Sequence, residues 1–149
     1  MFKKILVPLD GSSLAESVLR HVVPLAQCAD AEVVLLRVVT IPVTAYMAAT
    51  ESVLAVNARE DAEAEAFDYL NGIAAKLRAQ QVRAKAELGT GVIAETIQDY
   101  AKNARVDLIA MSTHGRSGFA RMMIGSVADE VVRHSTVPIL LVRPDSKKR

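Results

Sequence analysis

The sequence predicts an α/β fold built on a single open five-stranded parallel sheet with helices on both faces. Four short runs of Val, Ile and Leu lack a polar alternation, which is typical of strands covered on both faces. A further run alternates apolar and charged residues, and helical patterns occupy the intervals between the runs. The resulting order, βαβαβαβαβ, indicates parallel strands joined by right-handed crossovers.

The apolar runs predict buried strands at Ile5–Leu9, Val33–Val39, Leu108–Met111 and Ile139–Val142. The alternating run, Val82–Leu88, places apolar side chains at every second position and charged side chains between them. Successive side chains point to opposite faces of a strand, so this pattern predicts one face in contact with water. We therefore expect this strand to lie near an edge of the sheet.

The first predicted helix begins at Ser12 or Ser13 and ends near Ala29. Glu16 lies three residues after Ser13, a spacing typical of a capping box, in which both side chains bind free backbone N–H groups. The single cysteine, Cys28, lies near the end of this apolar helical stretch. We therefore expect it to be a buried structural thiol rather than a reactive one.

Three further helices are predicted: one at about Val53–Gln80, one at about Ile93–Asn103, and a last one that starts near Gly125-Ser126 and ends near His134. Charged residues early in the longest helix indicate a face exposed to solvent. The connection Ile41–Ser52 is long for a loop in a compact domain. Two interpretations of it stay open: an ordered connector over the sheet edge, and a functional loop.

Length, composition and charge exclude several classes of protein. The 149 residues suit one domain, residues 1–149, with a sizeable core, and 51% hydrophobic with 23% charged residues indicates a globular chain. A net charge of +1 argues against a dedicated nucleic-acid binder. One cysteine cannot form an internal disulfide, which favours a reducing compartment. No run approaches the ~20 apolar residues of a membrane span, and the first residues do not resemble a signal peptide, so we expect a cytoplasmic protein.

A glycine-rich segment follows the Leu108–Met111 run and precedes the last helix. It reads Ser-Thr-His-Gly-Arg-Ser-Gly over residues 112–118, and Gly125-Ser126 stands where the helix begins. Glycine lets the backbone approach an anion closely, and the first N–H groups of a helix have no partner within it. The segment therefore predicts a phosphate site. Arg116 and Arg121 are either donors to a phosphate tail or plain surface arginines.

Asp10 directly follows the first predicted strand. Open parallel sheets bind ligands at the carboxyl ends of strands, where the strand order reverses. If the first strand neighbours Leu108–Met111, Asp10 and the glycine-rich segment face one crevice. Asp10 then accepts hydrogen bonds from a ribose or an adenine ring, helps to cap the first helix, or does both.

Two other polar residues of this region also allow two interpretations. Ser126 is either a phosphate ligand or an ordinary helix cap. His114 has no acidic partner beside it in the sequence, which favours a positioned loop histidine over a catalytic base.

Other known site motifs are absent from the sequence. No G-x-x-x-x-G-K-S/T segment provides a P-loop, and no G-x-S-x-G segment provides a nucleophile. Gly89-Thr90-Gly91 imitates a dinucleotide fingerprint, but no acidic residue ends the next strand, so we interpret Gly89 and Gly91 as turn glycines. The three histidines lack the spacing of a metal site.

Three segments together resemble one known family. Ile5–Ser12, Thr113–Gly118 with Gly125–Ala128, and His134–Val142 are similar to the first strand and loop, the glycine signature and the last strand of the universal stress protein family. The resemblance implies a Rossmann-like sheet with strand order 3-2-1-4-5. It also implies a homodimer. The last strand, Val137–Val142, is too apolar to remain a bare sheet edge, so we expect it to form the dimer contact.

The nucleotide-binding branch of that family carries the pattern G-x2-G-x9-G-S/T. Gly115, Gly125 and Ser126 match its last part, whereas Ser112 occupies the first glycine position. The resemblance implies that ATP, with or without Mg²⁺, is the ligand. It implies adenine and ribose contacts from Pro8, Leu9, Asp10 and Val38, and phosphate contacts from Gly115, Gly125, Ser126 and Val127. The rest of the expected site is Met111, Ser112, His114, Arg116 and Gly118.

We therefore expect a regulatory or protective stress-response protein that binds an adenine nucleotide, with no catalytic residue, no metal ligand in the chain and no membrane or nucleic-acid partner. The alternative is a nucleotide-free interaction module of the same fold, in which Ser112 marks the loss of nucleotide affinity. A slow ATP hydrolase is the third hypothesis. It is disfavoured because no general base is evident.

Overall fold

The computed structural model describes residues 2–40, 53–114 and 124–144. They form a five-stranded sheet of order β3-β2-β1-β4-β5 in which every neighbouring pair is parallel. This confirms the predicted fold class and strand order. The strands are β1 Lys4–Pro8, β2 Glu32–Val39, β3 Arg83–Thr90, β4 Leu108–Ser112 and β5 Ile139–Val142.

Five helices connect the strands in the described part of the chain. They are α1 Ser13–Glu16, α2 Leu19–Ala29, α3 Val53–Ala79, α4 Ile93–Asn103 and α5 Ser126–His134. The three later helices agree with the sequence prediction to within a residue. No helix in the described ranges is long and apolar enough to cross a membrane.

The strand order reverses at β1, which is paired on both sides. Leu6 lies opposite Val34 of β2 on one side and opposite Ile109 of β4 on the other. The chain runs outward from β1 through β2 to β3, returns across the sheet, and continues outward through β4 to β5. The carboxyl ends of β1 and β4 therefore lie side by side, as the sequence analysis required for a shared crevice.

Alternate residues of the central strands fill two apolar layers. On one face, Ile5, Val7 and Leu35 pack with residues of α2 and α3 such as Val22 and Leu70. The other layer contains Leu6, Leu36 and Ile109 of the sheet together with Ile97 of α4 and Val131 of α5. Burial on both faces explains why these strands are continuously apolar in sequence.

The alternating run is confirmed as an edge strand. β3 pairs only with β2 among the described strands, and its residues are partly or fully exposed. Ala84, Ala86 and Leu88 pack against the core. On the opposite face, the Lys85 Nζ atom lies 3.1 Å from Glu87 Oε1.

The start of the first helical region differs from the prediction. Ser12 is the N-cap, and its hydroxyl oxygen accepts a hydrogen bond from the backbone N–H of Ala15 at 3.1 Å. The predicted capping box between Ser13 and Glu16 is wrong, because a helix capped by Ser12 places Glu16 one residue too late. The Glu16 carboxylate instead accepts a hydrogen bond from the hydroxyl of Tyr69 at 2.9 Å. The region is also two helices, α1 and α2, rather than one.

The prediction of a buried Cys28 is also wrong, because this thiol is exposed. The buried face of α2 contains Val22, Ala26 and Ala29. Cys28 lies two residues after Ala26, which is about 200° around a helix of 3.6 residues per turn. Cys28 therefore lies on the solvent-exposed side of α2, although the surrounding stretch is apolar. The predicted loop Ile41–Ser52 lies outside the described residues.

Ser12→Ala and Ser13→Ala form a matched pair that tests the observed cap. We expect Ser12→Ala to lower the free energy of unfolding by about 1 kcal/mol, because the N–H of Ala15 loses its partner. Ser13→Ala should change it by less than about half as much, since Ser13 is a helical residue without a capping bond. Urea unfolding followed by circular dichroism measures both. An equal or larger loss in Ser13→Ala would restore the capping-box interpretation.

Candidate functional site

A cleft of about 460 Å³ opens at the carboxyl ends of β1, β2 and β4. It is lined by every predicted site residue that lies in the described ranges: Pro8, Leu9, Asp10, Val38, Met111, Ser112, His114, Gly125, Ser126 and Val127. The predicted site residues Gly115, Arg116 and Gly118 lie outside the described residues, as does Arg121. Residues far apart in sequence thus meet at the point where the strand order reverses.

The turn after β1 is held by Asp10 and Gly11. One carboxylate oxygen of Asp10 accepts a hydrogen bond from the N–H of Ser12 at 2.9 Å. Gly11 has φ of 87°, a left-handed conformation that favours glycine. Asp10 therefore shapes the turn that leads into α1 and also lines the cleft. The cap of α1 itself belongs to Ser12.

The N-terminus of α5 forms the opposite wall of the cleft. Gly125 is its N-cap, and the Gly125 N–H donates to the carbonyl oxygen of Thr113 at 2.7 Å. A Cβ atom at Gly125 would lie 3.1 Å from that oxygen, so a glycine permits this close approach between helix and strand. The sequence predicts unpaired N–H groups at Gly125 and Ser126. In the structure the N–H of Gly125 has a partner, so the unpaired groups begin at Ser126. Those of Ser126, Val127 and Ala128 have no partner among the described residues.

Ser126 is the first residue of α5 and not its cap. The interpretation of Ser126 as an ordinary helix cap is therefore wrong, because Gly125 holds that position and no side chain caps this helix. Free N–H groups and the positive end of the helix dipole together attract an anion. The start of α5 is the part of the cleft best suited to a negative charge.

Ser112 closes the turn at the end of β4. Its side chain is 7% exposed, and its hydroxyl oxygen accepts a hydrogen bond from the N–H of His114 at 3.3 Å. The next residue, Thr113, donates its N–H to the carbonyl of Val142 on β5. A glycine at position 112 would leave the N–H of His114 without this partner. The serine therefore withdraws one backbone donor from the cleft.

His114 carries a buried atom that lacks a partner. Its Nδ1 atom lies 2.9 Å from the hydroxyl of Thr113, whereas Nε2 is buried without a hydrogen bond to any described residue. A buried polar group without a partner costs free energy, and a ligand that supplied one would recover it. The partner of Nδ1 is a hydroxyl and not a carboxylate, which favours the interpretation of a positioned loop histidine.

Arg37 of β2 is a cleft residue that the sequence analysis missed. The centre of its guanidinium lies 5.3 Å from the centroid of the Tyr69 ring. Burial, and then the hydrogen bond to Glu16, raise the pKa of the Tyr69 phenol, so it remains a donor at neutral pH. The available signal was a lone arginine inside the apolar run Val33–Val39, directly before Val38.

The two ends of the cleft differ in chemistry. Free N–H groups lie at the α5 end, while the carboxylates of Asp10 and Glu65 line the end formed by β1 and α3. Apolar side chains such as Leu36 and Ile97 also line the cleft. No group of three His, Cys, Asp or Glu side chains in the described ranges could hold a metal ion. The cleft can accept an anion at one end and hydrogen-bond donors at the other.

Comparison with known proteins identifies a family for this chain. A model described as the universal stress protein family matches residues 1–143. A universal stress protein of Methanocaldococcus jannaschii, MJ0531, is 30% identical over 148 residues, which cover 99% of this chain and 86% of that protein. The solved structure of MJ0577, from the same organism, has a TM-score of 0.87 at 28% identity and covers 99% of both chains.

A more distant solved structure shares the fold. A universal stress protein family protein from Arabidopsis thaliana, solved with AMP bound, has a TM-score of 0.70 at 16% identity. The aligned part covers 98% of this chain and 94% of the plant protein. The family model spans both the strand-order reversal and the residues that line the cleft. The chain belongs to the universal stress protein family.

Proposed function

We propose that this protein binds an adenine nucleotide in the cleft and acts as a regulatory stress-response protein. The observation that carries the proposal is the start of α5, where three N–H groups without a partner among the described residues lie in the lining of the cleft. These N–H groups are open polar positions that an anionic ligand would fill. A phosphate at the start of α5 would accept hydrogen bonds from the N–H groups of Ser126 and Val127.

The remainder of the cleft fits a nucleoside. Leu9, Val38 and Met111 offer apolar contacts to a base, and the Asp10 carboxylate can accept hydrogen bonds from a ribose or a base. The AMP found in the plant relative supports an adenine base. A nucleotide bound with its phosphate at the start of α5 has its hydrogen-bond donors near the carboxylates of Asp10 and Glu65. The charge of the nucleotide then complements the charge of the cleft.

ATP fits this proposal with or without Mg²⁺. The described residues offer no cluster of acidic or histidine ligands for a metal ion. Mg²⁺ would therefore be held by the phosphates and by water, and the chain would contribute binding of the nucleotide. His114 lacks an acidic partner among its described hydrogen bonds, which weighs against the hypothesis of a slow ATP hydrolase.

One observation favours the alternative of a nucleotide-free interaction module. The hydroxyl of Ser112, at the first glycine position of the nucleotide-binding pattern, occupies the N–H of His114. That bond is long, at 3.3 Å, and therefore weak. A strongly bound phosphate can displace it, so we retain nucleotide binding as the proposed function.

Ser126→Pro tests whether the N–H groups of α5 bind phosphate. Proline at the first helical position deletes one N–H and is tolerated there, and Gly125, with φ of −60° and ψ of 152°, suits a residue before proline. We expect wild-type protein to bind AMP or ATP in titration calorimetry, and Ser126→Pro to bind at least about tenfold more weakly, since hydrogen bonds to charged groups contribute about 1.5–3 kcal/mol.

Ser126→Ala is the matched control, because it removes the hydroxyl and keeps the N–H. We expect it to lose clearly less affinity than Ser126→Pro, and circular dichroism checks that both variants keep their helix content. Equal affinities for all three proteins would place the phosphate elsewhere. No heat and no thermal shift with millimolar ATP and Mg²⁺ would instead favour the interaction module.

We also propose a cytoplasmic homodimer formed through the last strand. β5 lies at the edge of the described sheet, and three of its four residues, Ile139, Leu140 and Leu141, are only partly buried. An edge strand presents unpaired backbone groups, and a second copy of the strand can cover them. The exposed free thiol of Cys28 suits a reducing compartment.

Sedimentation at micromolar concentration tests the dimer. We expect a species of twice the chain mass of 16.1 kDa, because an apolar edge strand associates with its symmetry mate. Dilution should shift the population towards the single chain. A stable 16.1 kDa species across the micromolar range would rule the dimer out.

A further inference from the structure

The guanidinium of Arg37 lies at the carboxylate end of the cleft, beside the turn that follows β1. A Cβ atom built on Gly11 would be 3.0 Å from Arg37 Nη1, so the guanidinium packs directly against this turn. On its other side lies the ring of Tyr69, whose hydroxyl is bonded to Glu16. The Gly11 turn and the Tyr69 ring therefore hold the guanidinium in one place.

The N–H groups of Arg37 are not used by the described part of the protein. Arg37 donates no hydrogen bond within residues 2–40, 53–114 and 124–144, although it is half-buried. Its contact with the Tyr69 ring, at 5.3 Å from the guanidinium carbon to the ring centroid, is an attraction of charge to the ring and uses no N–H donor as a hydrogen bond. A fixed, half-buried guanidinium with unused donors at a cleft wall is suited to binding an acceptor on a ligand.

The surrounding charges decide which kind of acceptor fits. Two carboxylates, those of Asp10 and Glu65, line the cleft together with Arg37, and Glu16 accepts the hydrogen bond of the Tyr69 hydroxyl. Carboxylates thus outnumber arginine and lysine side chains among the described lining residues, which disfavours a phosphate beside Arg37. The anion-attracting start of α5 adjoins β4, which is two strands from β2, or about 10 Å at ~4.8 Å per strand. The acceptor beside Arg37 is therefore uncharged.

We infer that Arg37 reads the purine base by donating a hydrogen bond to one of its ring nitrogens. This inference rests on the proposed function, because it requires an adenine nucleotide in the cleft. The amino group of adenine lies between two ring nitrogens, N1 and N7. If the Asp10 carboxylate accepts a hydrogen bond from that amino group, the adjacent ring nitrogen is placed next to the guanidinium of Arg37 on the neighbouring strand, β2. Arg37 and Asp10 together then match the alternating acceptor and donor of the adenine edge.

Ligand analogues that lack one nitrogen test the inference directly. 1-Deaza-AMP and 7-deaza-AMP each replace one ring nitrogen by a C–H group. Wild-type protein should bind one of the two about tenfold more weakly than AMP in titration calorimetry, the size expected for one lost hydrogen bond to a charged donor. Arg37→Met keeps a long side chain on Tyr69 without N–H donors, and it should bind AMP and that same analogue equally well.

Arg83→Met is the matched control, since Arg83 is an exposed arginine at the amino end of β3 and is paired with Asp30. It should keep the full difference between AMP and the analogue. Thermal unfolding establishes that each variant is folded, and Arg37→Leu, which also lacks N–H donors, serves in the same comparison if Arg37→Met is not.

The outcomes separate this inference from the proposed function. If AMP binds to the wild type but neither analogue binds more weakly, or if Arg37→Met shows the same difference as the wild type, the inference is overturned and nucleotide binding stands. If Arg37→Met weakens AMP and both analogues by one common factor, Arg37 contacts the ribose or supports the cleft wall, and base reading is again overturned. If no adenine nucleotide binds to the wild type, the proposed function fails and base reading fails with it.

Discussion

The pairing of β1 with both β2 and β4 is the constraint on which the rest of the molecule depends. The chain after β1 leads to β2 on one side, whereas the chain after β4 leads to β5 on the other, so the loops that follow these two adjacent strands leave in opposite directions. The space between those loops is the cleft. The cleft is thus a consequence of strand order, and local sequence decides only what lines it.

The contact between Gly125 and Thr113 sets the chemistry of one wall. The N–H of Gly125 is used to tie the start of α5 to the end of β4, which directs the next three N–H groups towards the cleft. A larger residue at position 125 would push the helix start away from Thr113 by at least a few tenths of an ångström. The glycine is therefore needed for packing between the helix and the strand, whether or not a phosphate is bound. Substituting Gly125 would confound loss of ligand with loss of this contact, whereas Ser126 offers a cleaner position.

The fold, and the meeting of the described residues in one cleft, could be predicted because both rest on periodicity and on strand ends. Apolar runs without alternation mark strands buried on both faces, and Asp10 and Ser112 follow such runs directly. The failures concern single residues whose environment is set by rotation about a helix or by a distant partner. Cys28 lies on the outer side of α2 by an angular offset that composition does not reveal. Glu16 could serve a cap or a partner, and Tyr69, 53 residues later, provides the partner.

Arg37 is a further residue whose environment depends on partners distant in the sequence. Inside an apolar run an arginine interrupts the pattern, and the sequence alone gives no reason for it. The reason is three-dimensional: the end of β2 passes the Gly11 turn on one side and Tyr69 of α3 on the other, leaving space for a flat cation between them. Placing a charge there costs desolvation, and the contact with the Tyr69 ring offsets part of that cost. Arg37 donates no hydrogen bond within the described residues, and it lines the same cleft as the start of α5, whose first N–H groups are also without a described partner. The described lining thus combines unused donors with the carboxylates of Asp10 and Glu65, and the proposed ligand would have to match both.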